Sequence, residues 1–123
     1  MKALVVDDSR AMRTILRKML TEIGFEEVFE AEHGRAALDR QDSGVEPDLA
    51  LVDWNMPEMN GLEFITAVRN DRAWDRLRLM MVTSESSPRQ VYEALKAGAD
   101  EYAMKPVTRE VIEGKLELMG LRD

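Results

Sequence analysis

Apolar residues along this chain fall into two alternating rhythms. Leu49-Ala50-Leu51-Val52 is an unbroken apolar run, which suits a short strand covered on both faces, as in a parallel sheet flanked by helices. The run delivers Asp53 to its carboxyl end, and Pro57 stops it, because proline has no backbone donor for a ladder. Ala3 to Val6, Glu27 to Ala31, Leu77 to Val82 and Glu101 to Met104 read as further short strands. Between them apolar residues recur at helical spacing. Met12, Ile15, Leu16, Met19, Leu20 and Ile23 form one stripe, capped by Ser9 and ended by Gly24. Ala36, Ala37 and Leu38 mark a weaker helix after a turn at His33-Gly34, and a polar loop runs from Gln41 to Pro47. Asn60 caps a third helix with Leu62, Ile65 and Val68 on its inner face. Pro88 suits the first turn of a fourth, with Val91, Ala94 and Leu95 inward and Gly98 at its end. Thr108 caps a fifth, which carries Val111, Ile112, Leu116 and Met119; Gly114 weakens it by roughly 1 kcal/mol relative to alanine.

Strand and helix alternate throughout. This pattern predicts an α/β fold over residues 1–123, a single doubly wound five-stranded parallel sheet with right-handed crossovers and helices on both faces. A chain of this length buries roughly two-thirds of its unfolded surface and needs no covalent staples.

Composition removes several chemistries. There is no cysteine, so disulfides, thiolate catalysis and cysteine metal sites are excluded, and a single histidine excludes a multi-histidine zinc site. The net charge of -7 argues against nucleic acid, whose phosphates attract lysine and arginine. The longest apolar runs fall far short of a membrane span, and a strand beginning at Ala3 leaves no room for a signal peptide, so the expected location is the cytoplasm. No further domain is expected after Asp123, so whatever this domain does is expected to act through its own surface.

Four predicted strand ends are polar: Asp7-Asp8, Asp53, Thr83-Ser84 and Lys105. In a parallel sheet these ends share one edge, where open α/β sheets bind their ligands. A strand order of 2-1-3-4-5 makes the first and third strands neighbours and crowds Asp7, Asp8 and Asp53 together. One like-charged pair about 4 Å apart costs roughly 1 kcal/mol in water and about 4 kcal/mol at an effective dielectric near 20, so three carboxylates call for a cation. All-oxygen ligands select a hard ion, and Mg2+ fits, because it keeps several waters and takes few carboxylates plus a phosphate. Lys105 adds an ammonium, Thr83 a hydroxyl donor and Asp53 a carboxylate nucleophile, a set that suits a phosphoryl group. Asp7-Asp8 alone reads equally well as a solvated strand end and helix cap; the conjunction with Thr83 and Lys105 is what is specific.

Val5-Val6-Asp7-Asp8-Ser9, Asp53-Trp54-Asn55-Met56-Pro57, Asn60-Gly61, Met81-Val82-Thr83-Ser84-Glu85, Ala97-Gly98-Ala99, and Tyr102 with Lys105-Pro106 carry a resemblance to a known family. Essentially the whole chain resembles the receiver domain of two-component response regulators, most closely those of chemotaxis. The resemblance implies the flavodoxin-like order 2-1-3-4-5 and a cis Lys105-Pro106 peptide. It implies that Asp53 accepts a phosphoryl group from a histidine kinase of the chemotaxis type. Mg2+ would sit on Asp7, Asp8, Asp53 and the Asn55 backbone carbonyl. Lys105 and Thr83 would bind the phosphoryl oxygens, and Thr83 and Tyr102 would move as the switch. Asn55 and Glu85 would flank the path of the water that ends the signal. A monomer would pass the signal to a downstream protein, such as a flagellar motor switch, through the face made by the fourth helix, fifth strand and fifth helix.

The chain departs from the family at Asn60, His33, Val107 and Pro88. The last lies on the expected output face and weakens the case for a motor partner. Outside the motif residues, His33 reads as a turn residue with nothing to pair with and Trp74 as a loop anchor. Tyr102 also reads as a strand aromatic packed on the last helix. Arg69, Arg72, Arg76 and Arg78 alternate with acids and read as a solvated surface. Two rival functions remain. A phosphatase with an aspartate nucleophile would carry a second aspartate two residues on as general acid, where this chain has Asn55. A docking scaffold that takes no phosphate would not need the intact acidic set.

Overall fold

The computed structural model describes residues 1–41, 44, 46–85 and 87–122. The strands are β1 (Lys2–Val6), β2 (Glu27–Ala31), β3 (Leu49–Val52), β4 (Arg78–Thr83) and β5 (Glu101–Met104). The helices are α1 (Arg10–Ile23), α2 (Gly34–Gln41), α3 (Gly61–Arg69), α4 (Pro88–Ala97) and α5 (Arg109–Leu118), with a short 3-10 helix at Arg72–Trp74. All pairings are parallel and the order is β2-β1-β3-β4-β5, as expected. Of the polar loop from Gln41 to Pro47, residues 42, 43 and 45 lie outside the described residues.

The unbroken apolar strands are buried on both sides. Leu49 and Leu51 of β3 face a core closed by Leu16 and Leu20 of α1 and Ile112 and Leu116 of α5. Ala50 and Val52 face the opposite core, with Phe64, Ile65 and Val68 of α3 and Ala94 of α4. The caps at Ser9, Asn60 and Thr108 fall where the sequence places them, and Ser87 adds one before Pro88. The side chains of Ser9, Asn60, Ser87 and Thr108 each accept a backbone N–H of the first turn that follows, satisfying a donor the helix leaves open. Asn60 does so within a reciprocal capping box with Glu63. The Lys105-Pro106 peptide is cis.

Several local expectations give way to tertiary contacts. β4 runs one residue later than the apolar run suggests, with Leu77 buried just before it. Ile15, Leu95 and Val111, placed on inner stripes, are exposed, because each helix buries a narrower face than its apolar stripe offers. Gly34 opens α2 instead of closing a turn, and a Cβ there would stand 2.7 Å from Met59 Cγ. His33 is paired on both ring nitrogens: Nδ1 accepts the Ala36 N–H at 3.1 Å, capping α2, and Nε2 lies 2.7 Å from Glu58 Oε2. Trp74 is a buried anchor set edge-on to Phe64. Arg69 is no solvated arginine. Its guanidinium donates to the carbonyls of Gly98, Trp74 and Leu77 and to the Asp100 carboxylate, pinning α3 to the segments that flank β4 and β5.

Candidate functional site

The parallel register brings the polar strand ends to one level. Val6 pairs with Val52, Val52 with Met81 and Thr83 with Met104, so Asp7, Asp53, Thr83 and Lys105 emerge together at the carboxyl edge. The backbone continues the ladder past the strands: Asp53 N–H donates to Val6 O at 2.9 Å, and Lys105 N–H to Thr83 O at 3.0 Å. The loop after β3 folds back so tightly that a Cβ on Gly61 would stand 2.2 Å from the Asp53 carbonyl oxygen; only glycine fits there.

Carboxylate oxygens of Asp7, Asp8 and Asp53 lie within 4.8 Å of one another. Asp7 and Asp53 are buried and Asp8 is exposed, so the cluster opens to solvent on one side. Each buried carboxylate is held on one oxygen by the backbone: Asp7 Oδ1 accepts from Ser9 N–H at 2.9 Å and Asp53 Oδ1 from Trp54 N–H at 2.8 Å. The other oxygen of each faces Lys105, whose Nζ stands 2.8 Å from Asp7 Oδ2 and 3.3 Å from Asp53 Oδ2. One ammonium against three carboxylates leaves negative charge in excess, and the donors are all oxygen. This set fits a hard divalent cation such as Mg2+. Burial pushes the Lys105 ammonium toward a lower pKa, but its hydrogen bond to Asp7 and the charges of Asp53 and Asp7 outweigh burial and raise it above the ordinary lysine value.

Thr83 is fully buried at the end of β4, and its hydroxyl oxygen accepts the Glu85 N–H at 3.3 Å. Tyr102, on the edge strand, donates its hydroxyl to the Glu85 carbonyl oxygen. Burial, then the negative charges of Glu85 and Asp53, raise the tyrosine pKa, so the ring stays protonated and remains a donor. The Asn55 side chain donates to Glu85 Oε1, bridging the loops after β3 and β4.

The structure thus brings together Asp7, Asp8, Asp53 and Lys105 directly, with Thr83, Asn55 and Tyr102 joined through Glu85. Sequence reasoning placed Glu85 beside the site by resemblance alone and missed it as the junction of this network. It also missed Arg13, which donates to the Asp7 carbonyl at 2.7 Å and pairs with Glu30 at 3.2 Å, fixing the loop after β1. Only helical phase placed Arg13 near that loop, which is too weak a signal to single it out.

Comparison with known proteins agrees with this geometry. A family model described as the response regulator receiver domain matches residues 3–117. The chain is 44% identical over 124 residues to the chemotaxis protein CheY1 of Helicobacter pylori strain ATCC 700392 / 26695, covering 100% of each. It is 45% identical over 117 residues to a chemotaxis protein CheY homolog of Campylobacter jejuni strain 81-176, covering 95% of this chain and 90% of that one. Among solved structures, Vibrio cholerae chemotaxis protein CheY4 superposes with a TM-score of 0.86 at 34% identity, covering 95% of this chain and 96% of the other.

Proposed function

Because the chain belongs to the response regulator receiver family, we propose that it is a chemotaxis response regulator whose Asp53 accepts a phosphoryl group from a histidine kinase. The observation that carries this reading is the Lys105 ammonium held between Asp7 and Asp53 beside an oxygen-only cluster. Asp53 attacks phosphorus of the kinase's phosphohistidine. A P–O bond forms, the P–N bond breaks, and the imidazole leaves with a proton. Backbone bonding at Oδ1 fixes the carboxylate plane and leaves Oδ2 on the side of Lys105. Such preorganised charge is worth most where negative charge develops. Lys105 then counters the oxygens of the transferred group, and Thr83 offers its hydroxyl to one of them.

Mg2+ would be held by Asp7, Asp8, Asp53 and the Asn55 backbone carbonyl, and when bound it supplies positive charge against the phosphoryl oxygens. The output surface is the face of α4, β5 and α5. It exposes Tyr92, Leu95, Met104 and Val111, a grouping that suits a protein partner. Thr83 and Tyr102 carry the change from the site to that face. No described helix is long and apolar enough to cross a membrane.

A magnesium titration tests the acidic site. Trp54 adjoins Asp53 and reports binding by fluorescence, with buried Trp74 as background. Asp8→Ala loses most of the affinity and Asp7→Ala somewhat less. Equal affinity in the wild type and both variants would refute the assignment.

A further inference from the structure

Glu85 is engaged on both carboxylate oxygens. Oε1 accepts from the Asn55 side-chain amide, and Oε2 accepts from Gln90 Nε2 at 3.3 Å. The Gln90 amide is itself oriented. Its Oε1 accepts the Ser87 hydroxyl at 2.8 Å, which leaves Nε2 as the end that faces Glu85. Ser87 in turn takes the Gln90 backbone N–H at 3.2 Å as the cap of α4. A continuous chain of hydrogen bonds therefore runs from the first turn of α4 through Gln90 and Glu85 to Asn55, two residues beyond Asp53.

This chain ends in a bridge between the loops that carry Asp53 and Thr83. The bridge is exposed, so a water that reaches phosphorus at Asp53 from this side passes between those loops. Released from Gln90, the Glu85 side chain is free to leave Asn55 and open that path.

We propose that Gln90 is a positioning residue for loss of the phosphoryl group: by holding Glu85 against Asn55 it lengthens the lifetime of phosphorylated Asp53. This rests on the reading of Asp53 as phosphoacceptor. In the step itself the water oxygen forms a bond to phosphorus, the bond from phosphorus to the Asp53 oxygen breaks, and the water proton leaves on inorganic phosphate. Gln90 touches none of these atoms and acts through Glu85.

The test compares wild type with Gln90→Ala, Gln90→Glu and Gln90→Lys. Each protein is loaded with acetyl phosphate and Mg2+, the donor is removed, and decay of the label is followed. Alanine removes the donor and glutamate repels Glu85, so both shorten the half-life roughly three- to tenfold, the size expected for one ordinary, partly exposed hydrogen bond. Lysine keeps a donor toward Glu85 and holds the half-life at or above the wild-type value. In the unloaded proteins the Asn55 side-chain amide resonance moves in the alanine and glutamate variants and stays in the lysine variant. A half-life unchanged in Gln90→Ala and Gln90→Glu overturns the proposal. Equal shortening in Gln90→Ala and Gln90→Lys also overturns it, since both lose the Ser87 to Gln90 contact while lysine keeps a donor toward Glu85, and only a role in the helix cap would then remain. A wild type that takes no label on Asp53 overturns the functional reading and this inference together, whereas a labelled wild type with unaltered variants overturns this inference alone.

Discussion

Lys105 lies closer to Asp7 than to Asp53, 2.8 Å against 3.3 Å. The ammonium is thus committed to a neighbour of Asp53, the proposed acceptor, with the Asp53 oxygen farther away. This leaves Lys105 able to turn toward new negative charge at Asp53 without leaving the cluster. It also makes Lys105 the counter-charge that lets two buried carboxylates share one strand edge.

Replacing Lys105 by alanine should therefore destabilise the free protein. Breaking a buried ion pair is costly, but Lys105 is partly solvated, so the expected loss is about 1–2 kcal/mol at neutral pH. Millimolar Mg2+ should restore more stability to Lys105→Ala than it adds to wild type. The sign with pH follows from the raised folded-state pKa. The contribution is complete below the ordinary lysine value of 10.5 and is lost as pH rises through the higher folded value. Chemical denaturation of both proteins from pH 7 to 11 should show a constant gap that closes only at the alkaline end. A gap that closes near neutrality would contradict the pairing.

Tyr102 and Glu85 give a second prediction. The tyrosine hydroxyl bonds the Glu85 backbone carbonyl, while the Glu85 N–H bonds the Thr83 hydroxyl. Thr83 cannot turn toward a phosphoryl oxygen without disturbing the backbone that holds Tyr102. Adding beryllofluoride, a phosphoryl mimic, to the magnesium form should spread NMR shifts from Asp53 through Thr83 to Tyr102 and α5. The free protein must already visit the second arrangement, because a ligand only shifts an existing equilibrium. Shifts confined to the loop after β3 would remove this route.

Arg69 should matter for stability and not for chemistry. Its four acceptors lie on the segments around β4 and β5, and Asp100 also accepts the Leu79 N–H at 2.8 Å. Arg69→Ala leaves carbonyls and a carboxylate short of donors and should cost about 2–4 kcal/mol, while labelling of Asp53 proceeds at the wild-type rate. Arg69→Lys should recover little, since an ammonium cannot reproduce the planar fork. Gly98→Ala should damage the same corner: its φ is 123°, and an added Cβ would meet Arg69 Cγ at 2.4 Å. Unfolding midpoints and labelling rates measured side by side separate the two effects.

His33 caps α2 with a ring nitrogen in place of the short oxygen acceptor usual at that position. His33→Ala should lose about 1 kcal/mol, and His33→Asp should keep the cap. Equal loss in both variants would mean that the contact with Glu58, and not the cap, is what counts.

The sheet and the core of the site were legible because they are written in local order. Apolar runs without alternation gave doubly covered strands, and a polar residue directly after such a run must emerge at the edge. Asp7, Asp53, Thr83 and Lys105 could be placed that way. The strand order came partly through family likeness. What local order does not carry is the long side chain that crosses between elements. Arg69 looks like any surface arginine until the fold brings four acceptors around it. His33 finds Glu58 only once the loop after β3 has folded back. Leu95 fits the helical period of α4, yet the sheet edge covers only Ala94 fully. The bridge from Asn55 through Glu85 to Gln90 joins three elements, and no spacing in the chain announces it.

The most direct test of the account is the position of the phosphoryl group. The protein is incubated with acetyl phosphate and Mg2+, reduced with borohydride and mapped by mass spectrometry, alongside Asp53→Asn. The account predicts that the label lies on Asp53, depends on Mg2+ and is absent from Asp53→Asn. A label on another residue, or undiminished uptake by Asp53→Asn, would contradict it.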